Sequence, residues 1–186
     1  MSGGRRAVAL AVVGLLVGAA VWGLTRNNRD GDPASPATVS ASTMISGEAR
    51  IVGVGDLASL PAEAGHEVFW AGSRAGTDLE YSQDPTGNVH LRYLTDGAVA
   101  GDPNQGFLNI GTYPFSGAYE ATRQLSQGAG LVKVAEHGGI GFFDPANPYS
   151  VIIAWPEQPD LQVEVYDPVK NRALDIVRSG DIVPVS

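Results

Sequence analysis

The chain has 186 residues, of which 44% are hydrophobic and 17% are charged, and its formal net charge is -8. This length fits one folded domain with additional segments, and the composition is not that of a wholly disordered chain. Most of the negative charge belongs to residues 48–186, which carry 18 acidic and 8 basic side chains. A domain with this excess of negative charge repels phosphate groups, so we expect no nucleic-acid partner. Cysteine is absent, which excludes disulfides, thiol catalysis and thiolate metal ligands.

Residues 7–24 form an apolar run without a charged side chain. As a helix this run is about 27 Å long, close to the thickness of a thin bilayer. Arg5 and Arg6 precede it and favour a cytoplasmic N-terminus. We therefore predict a single-pass membrane anchor, with the C-terminal domain outside the cytoplasm. Gly14 and Gly18 have the GxxxG spacing that lets two helices approach closely, so a weak homodimer through this pair is a further prediction.

A cleaved signal peptide is the alternative for this segment, because Gly18-Ala19-Ala20 resembles a small-residue cleavage site. Both interpretations place the domain outside the cytoplasm. Residues 25–47 are rich in Ser, Thr, Pro, Asp and Asn, and this composition predicts a flexible linker. The folded domain is then expected over residues 48–186.

Short strands with alternating side chains dominate residues 48–186. Residues 79–83 and 89–94 alternate on either side of the turn sequence Asp84–Asn88, which predicts a hairpin with His90 and Arg92 pointing away from its apolar face. Further strands are predicted over 68–71, 107–113, 131–136, 140–143, 151–155, 161–166 and 182–185. In the strand over 161–166, Gln162 and Glu164 are expected to point outward.

Helix signals occur in three places. A helix over 117–127 is predicted with Ser116 as its N-cap, and a second over 168–179 with Asp167 as its cap and Gly180 after its end. A third, over 56–64, is interrupted at Pro61. The fold class is therefore α+β: a mainly antiparallel sheet with two or three helices packed on one face, preceded by one transmembrane helix.

Motifs that fix a reaction are missing from the sequence. The three histidines are far apart and match no metal-binding spacing, and the acidic loop 96–106 has ordinary turn pairs without the EF-hand pattern. Glu80 and Glu164 lie on outward strand positions, where a catalytic carboxylate pair would require their two strands to face each other. We therefore predict no catalytic residue, no cofactor and no metal site.

Aromatic residues are the most distinctive group. Most are expected in the core, but Trp70 at a strand end and Tyr149 in a loop between two strands are predicted to form a partner surface. With the anchor and the linker, this favours a non-enzymatic binding or assembly module of the cell envelope, with an envelope protein or a glycan as its partner. The alternative function is a carboxylate-dependent hydrolase acting on envelope material.

The sequence also resembles a known group of proteins. The segments HEVFWAG, LRYL, GTYPF and QVEVYDP, within residues 57–180, are similar to uncharacterised exported or membrane-anchored proteins of high-GC Gram-positive bacteria. This resemblance implies an extracytoplasmic location and a shared fold. It implies no catalytic role, since no activity is known for the group.

Overall fold

The computed structural model describes residues 48–186. The predicted membrane helix over 7–24, its Gly14–Gly18 contact and the linker over 25–47 lie outside these residues. Within residues 48–186, no helix has the length and the apolar character needed to cross a bilayer.

An eight-stranded antiparallel sheet forms the body of the domain. The strands along the chain are β1 (Arg50–Val52), β2 (Phe69–Trp70), β3 (Asp78–Gln83), β4 (Val89–Leu94), β5 (Leu108–Pro114), β6 (Val132–Val134), β7 (Ile140–Phe143), β8 (Ser150–Ala154), β9 (Leu161–Tyr166) and β10 (Val183–Pro184). The order across the large sheet is β1-β3-β4-β5-β9-β8-β7-β6, and β10 pairs with β2 in a separate two-stranded sheet. The α+β class with a mainly antiparallel sheet is thus confirmed.

The predicted hairpin is β3 and β4. Tyr81 lies opposite Leu91, and Oδ1 of Asp84 accepts hydrogen bonds from the backbone N–H groups of Thr86 and Asn88 at 2.8 and 3.0 Å. An Asp that closes its own turn in this way fixes the loop length and therefore the strand register.

One face of the large sheet is apolar. Opposed residues of an antiparallel pair share a face, so the register aligns Tyr81, Leu91, Ile110, Val165 and Val151 in one buried row. This face belongs to the apolar core of residues 48–186. The core is completed by residues of a 3-10 helix (Val54–Ser59), α1 (Leu60–Ala64), β2, α3 (Arg172–Ser179) and the two residues that flank β10, Ile182 and Val185.

The second face of the sheet carries α2 (Ala118–Leu125). Gln162 points to this face, and its Nε2 donates a hydrogen bond to Oγ1 of Thr122 at 2.7 Å in α2. The helix lies over β7, β8 and β9. The prediction that all helices pack on one face is therefore wrong for α2. Strand alternation shows which face is apolar, but it does not show that a helix will also cover the polar one.

The two longer helices begin later than predicted. Gly117, with φ of 75°, precedes α2, and Ser116 is not its N-cap. The first residue of α3 is Arg172, after Asn171 with φ of 67°. Asp167 instead closes a local turn, where its Oδ1 accepts from the backbone N–H of Val169 at 2.7 Å.

The end of α3 agrees with the prediction, whereas the expected interruption at Pro61 does not occur. Gly180 follows α3 in the left-handed region with φ of 80°, as predicted. Pro61 does not interrupt a helix, since it lies in the first turn of α1, where its missing N–H leaves no hydrogen bond unmade.

Candidate functional site

Five half-buried polar side chains and one buried carboxylate gather on the second face of the large sheet. We call this group the polar strip; it consists of His90, Asn109, Tyr113, Ser150, Glu164 and Tyr166. These residues lie on β4, β5, β8 and β9, which are interior strands of the sheet. On one side α2 covers β7 to β9, and on the other the loop containing Gly101 contacts side chains of β3 and β4.

A glycine in the middle of β5 shapes the strip. Gly111 lies between His90 on β4 and Glu164 on β9 in the register. A Cβ at this position would lie only 2.7 Å from Cζ of Tyr113 and 2.9 Å from its Cε2. The Tyr113 ring therefore lies across the bare backbone of Gly111, between His90 and Glu164. Its centroid is 5.7 Å from that of the His90 ring, in an edge-to-face arrangement.

Glu164 is the acidic centre of the strip. The Tyr113 hydroxyl donates a hydrogen bond to Oε2 at 2.9 Å, and Oγ of Ser150 donates to Oε1 at 2.9 Å. Burial, together with the neighbouring Glu164 carboxylate, raises the pKa of the Tyr113 phenol, so its hydroxyl remains a donor at neutral pH.

The predicted outward orientation of Gln162 and Glu164 requires a correction. Both side chains point away from the apolar core, but they are only 2% and 8% exposed. Gln162 is covered by α2, through its hydrogen bond to Thr122. Glu164 is buried among the neighbouring side chains of the strip itself.

His90 is held as a neutral base. Burial lowers the pKa of its imidazole and outweighs the opposing attraction of Glu164 and Asp84. Nδ2 of Asn109 donates a hydrogen bond to Nδ1 of His90 at 3.2 Å.

A buried ion pair lies beside the strip and holds a loop onto the sheet. Glu80 is 1% exposed, and its Oε1 lies 3.1 Å from Nε of Arg92, in an ion contact without hydrogen-bond geometry. Oε2 of Glu80 accepts from the backbone N–H of Gly101 at 2.6 Å, and both terminal nitrogens of Arg92 donate to the carbonyl of Asp102 at 2.9 Å. The Arg92 guanidinium also lies over the Phe107 ring, 5.2 Å from its centroid. Glu80 is thus engaged in fixing a loop.

The two carboxylates considered from the sequence do not form a pair. Glu80 is on β3 and Glu164 is on β9, three strand positions away. At about 4.8 Å per strand spacing, their backbones are about 14 Å apart or more. Across residues 48–186, no group of three or more His or acidic side chains is arranged to hold a metal ion.

The predicted partner residues Trp70 and Tyr149 lie on separate elements. Trp70 belongs to β2, opposite Val183, and is half-buried against the apolar core. Tyr149 is 40% exposed and directly precedes Ser150 of the strip. Their role as a partner surface stays a prediction. Trp155 stacks on Phe69 with ring centroids 5.0 Å apart, which ties the end of β8 to the small sheet.

The sequence reading missed the other members of the strip. No sequence motif marks these four members, which are Tyr113, Asn109, Ser150 and Tyr166. Gly111 was the available signal, because a glycine inside a strand often marks the close approach of another group.

Open grooves occur elsewhere on the domain. One of about 350 Å³ is lined by Tyr81 and the Arg50–Glu63 ion pair, and one of about 480 Å³ by Phe115, Pro159 and their neighbours. No member of the polar strip lines either groove.

Comparison with known proteins identifies no relative, since no family model, curated protein or solved structure matches the chain significantly.

Proposed function

We propose that this protein is a membrane-tethered, extracytoplasmic binding module of the cell envelope, with the polar strip as its recognition surface. The observation that carries the proposal is the position of the strip. Five half-buried polar side chains lie with the buried Glu164 on interior strands of the sheet, and two of them, Tyr113 and Ser150, are hydrogen-bonded to it. The membrane tether and the extracytoplasmic location rest on the sequence patterns of residues 5–24.

Preorganisation supports a binding role. Tyr113 and Ser150 are hydrogen-bonded to Glu164, and Asn109 is hydrogen-bonded to His90, so these side chains already have defined positions without a ligand. Binding to such a surface loses less side-chain entropy than binding to mobile surface residues. Strands also position side chains more reproducibly than loops do.

A hydrolase is the less favoured alternative. A glycoside hydrolase of the usual two-carboxylate type needs its two acids about 5–9.5 Å apart. Within the strip, Glu164 is the one carboxylate, and Glu80 is held by Arg92 three strands away. The arrangement therefore favours recognition over two-carboxylate hydrolysis.

Site-specific photocrosslinking in the native membrane tests the recognition surface. A photoreactive amino acid replaces Asn109 in the strip, and a matched variant carries it at Lys170, an exposed residue ahead of α3 and outside the strip. We expect a discrete crosslinked product from position 109 and none from position 170. No product from position 109, or equal products from both positions, would overturn the proposed recognition surface.

The topology has its own test. Protease added to intact cells stripped of their wall is expected to digest residues 48–186 while a cytoplasmic marker survives. If the domain survives together with that marker, the proposed extracytoplasmic location is wrong.

A further inference from the structure

Glu164 lacks a cationic partner in the described part of the chain. Its two hydrogen-bond donors are the neutral hydroxyls of Tyr113 and Ser150. No Lys or Arg among residues 48–186 forms an ion pair with it. Glu80, the comparably buried acid on the same face, has Arg92. Burying a carboxylate without a cationic partner costs free energy. The burial of Glu164 without such a partner therefore requires an explanation.

The carboxylate retains the capacity to accept further hydrogen bonds. Each carboxylate oxygen offers about two acceptor positions, and one on each oxygen of Glu164 is occupied by a hydroxyl. A protonated primary amine carries three donors and one positive charge. It therefore complements both the unused acceptor positions and the uncompensated charge.

An aromatic ring adjoins this carboxylate. The Tyr113 ring lies across Gly111 directly beside Glu164, and His90 meets that ring edge to face. The face of an aromatic ring attracts a cation, so a carboxylate next to a tyrosine ring is a favourable place for an ammonium group. The excess of acidic side chains in residues 48–186 adds a long-range attraction for cations.

The donor set suits an organic cation better than a metal ion. Ca²⁺ in proteins takes six to eight oxygen ligands, often from several carboxylates. The surroundings of Glu164 provide one carboxylate and two hydroxyl groups.

From this geometry we infer that the polar strip binds a ligand through a protonated primary amino group, which Glu164 holds and the Tyr113 ring covers. The inference rests on the proposed recognition surface and adds the chemical class of its ligand. The amine can belong to a lysine-type side chain of an envelope peptide or to an amino sugar, and both present the same ammonium group.

Titration of the full chain in detergent micelles tests the inference. The tyrosine rings are labelled with ¹³C and followed by NMR, and the probes are Nα-acetyl-lysine amide and glucosamine. Their neutral counterparts are Nα-acetyl-norleucine amide and N-acetylglucosamine. We expect a saturable shift of the Tyr113 resonances with at least one amine and none with its neutral counterpart. The amine that binds more tightly identifies the source.

Substitutions then assign the binding to Glu164. Glu164→Gln is expected to weaken the binding at least tenfold, whereas Glu120→Gln on the exposed surface of α2 should leave it unchanged. Tyr113→Leu, read from Tyr166 as the remaining tyrosine of the strip, should weaken it as well, and this covers the case in which Glu164→Gln fails to fold.

Two results would overturn the amine inference: equal shifts with amine and neutral probes, or amine binding that survives Glu164→Gln. If crosslinking from Asn109 succeeds and the amines do not bind, the proposed function stands and the ligand class is wrong. If crosslinking fails as well, both are wrong.

Discussion

Tyr113 packs closely over the backbone of Gly111 in the polar strip. The backbone of Gly111 leaves room for a ring that a single methyl group would displace. Gly111 does not have a positive φ, so its role is spatial and does not come from backbone strain.

Gly111→Ala is therefore expected to destabilise the domain. The new methyl group meets the Tyr113 ring, and overpacking of this kind costs about 1–3 kcal/mol. The effect is measured as a change in the free energy of unfolding. The full chain is denatured with urea in mild detergent, and unfolding is followed by near-UV circular dichroism.

The control for this experiment is a double-mutant cycle with Tyr113→Ala. Without the ring, Gly111→Ala should be neutral or slightly stabilising, because alanine restricts the unfolded chain more than glycine does. A cost that is the same with and without the ring would show that the methyl group clashes with something else.

His90 gives the domain a predictable pH dependence. Burial lowers the pKa of His90 in the folded state, whereas in the unfolded chain it titrates near its ordinary value of about 6.5. Between these two values the unfolded state binds more protons, so the free energy of unfolding falls as the pH falls, by up to about 1.4 kcal/mol per pH unit. Glu164 and Asp84 oppose the lowering, and Arg92 acts in the same direction as burial.

His90→Gln should remove this part of the pH dependence. We expect the wild-type protein to lose more stability than the variant between pH 7 and pH 5, measured by urea denaturation at each pH. Parallel curves for the two proteins would show that His90 becomes protonated as easily in the folded state as in the unfolded one.

At the scale of secondary structure, the loop that contains Gly101 and Asp102 is held on the sheet by the buried Glu80–Arg92 pair. Arg92→Met leaves the Glu80 carboxylate buried without a cation, and breaking a buried pair in this way costs about 3–5 kcal/mol. The free energy of unfolding should fall by this order, and hydrogen exchange at the Gly101 amide should accelerate, since that N–H bonds to Glu80.

Two comparisons isolate the charge effect. Glu80→Gln combined with Arg92→Met should cost less than Arg92→Met alone, because no uncompensated charge remains. Arg123→Met, which breaks the exposed pair with Glu120, should change stability little. If the double variant is the less stable, the Glu80 carboxylate stabilises the domain more through its hydrogen bond with the Gly101 N–H than its unpaired charge costs.

The hairpin and the helix starts show how far local sequence predicts structure. The alternation around Asp84–Asn88 predicted the hairpin and the apolar face correctly, because the period of a strand and the chemistry of a tight turn are both local. The start of α3 was missed because Asp167 closes a turn of its own and Asn171 adopts a left-handed conformation before the helix. Either residue could serve as a cap in isolation, and tertiary contacts decide between them.

At the scale of the whole molecule, the order of the strands could not be predicted from the sequence. The polar strip exists because β9 inserts between β5 and β8, which brings Glu164 beside Tyr113 and Ser150. These residues are separated by 51 and 14 positions in the chain. No local pattern encodes such a pairing, so the strip could not be predicted as a site.

The predicted boundary between linker and domain can be tested directly. The apolar core is drawn from residues between Val52 and Val185, so a chain that begins at Ser46 keeps every side chain of that core. We expect this shortened chain to be soluble without detergent and to unfold in one cooperative transition, followed by circular dichroism.

A second shortened chain, beginning at Gly53, is the matched control. It also lacks the N-terminal segments, and in addition it lacks β1. Without β1 the edge of β3 is unpaired, and the Arg50–Glu63 ion pair is lost. An exposed strand edge beside apolar side chains promotes association between molecules. The chain from Gly53 should therefore be less stable and should aggregate at a lower temperature than the chain from Ser46. If the chain from Ser46 aggregates just as readily, and restoring residues 1–45 prevents this, the N-terminal segments belong to the fold and the predicted boundary at residue 48 is wrong.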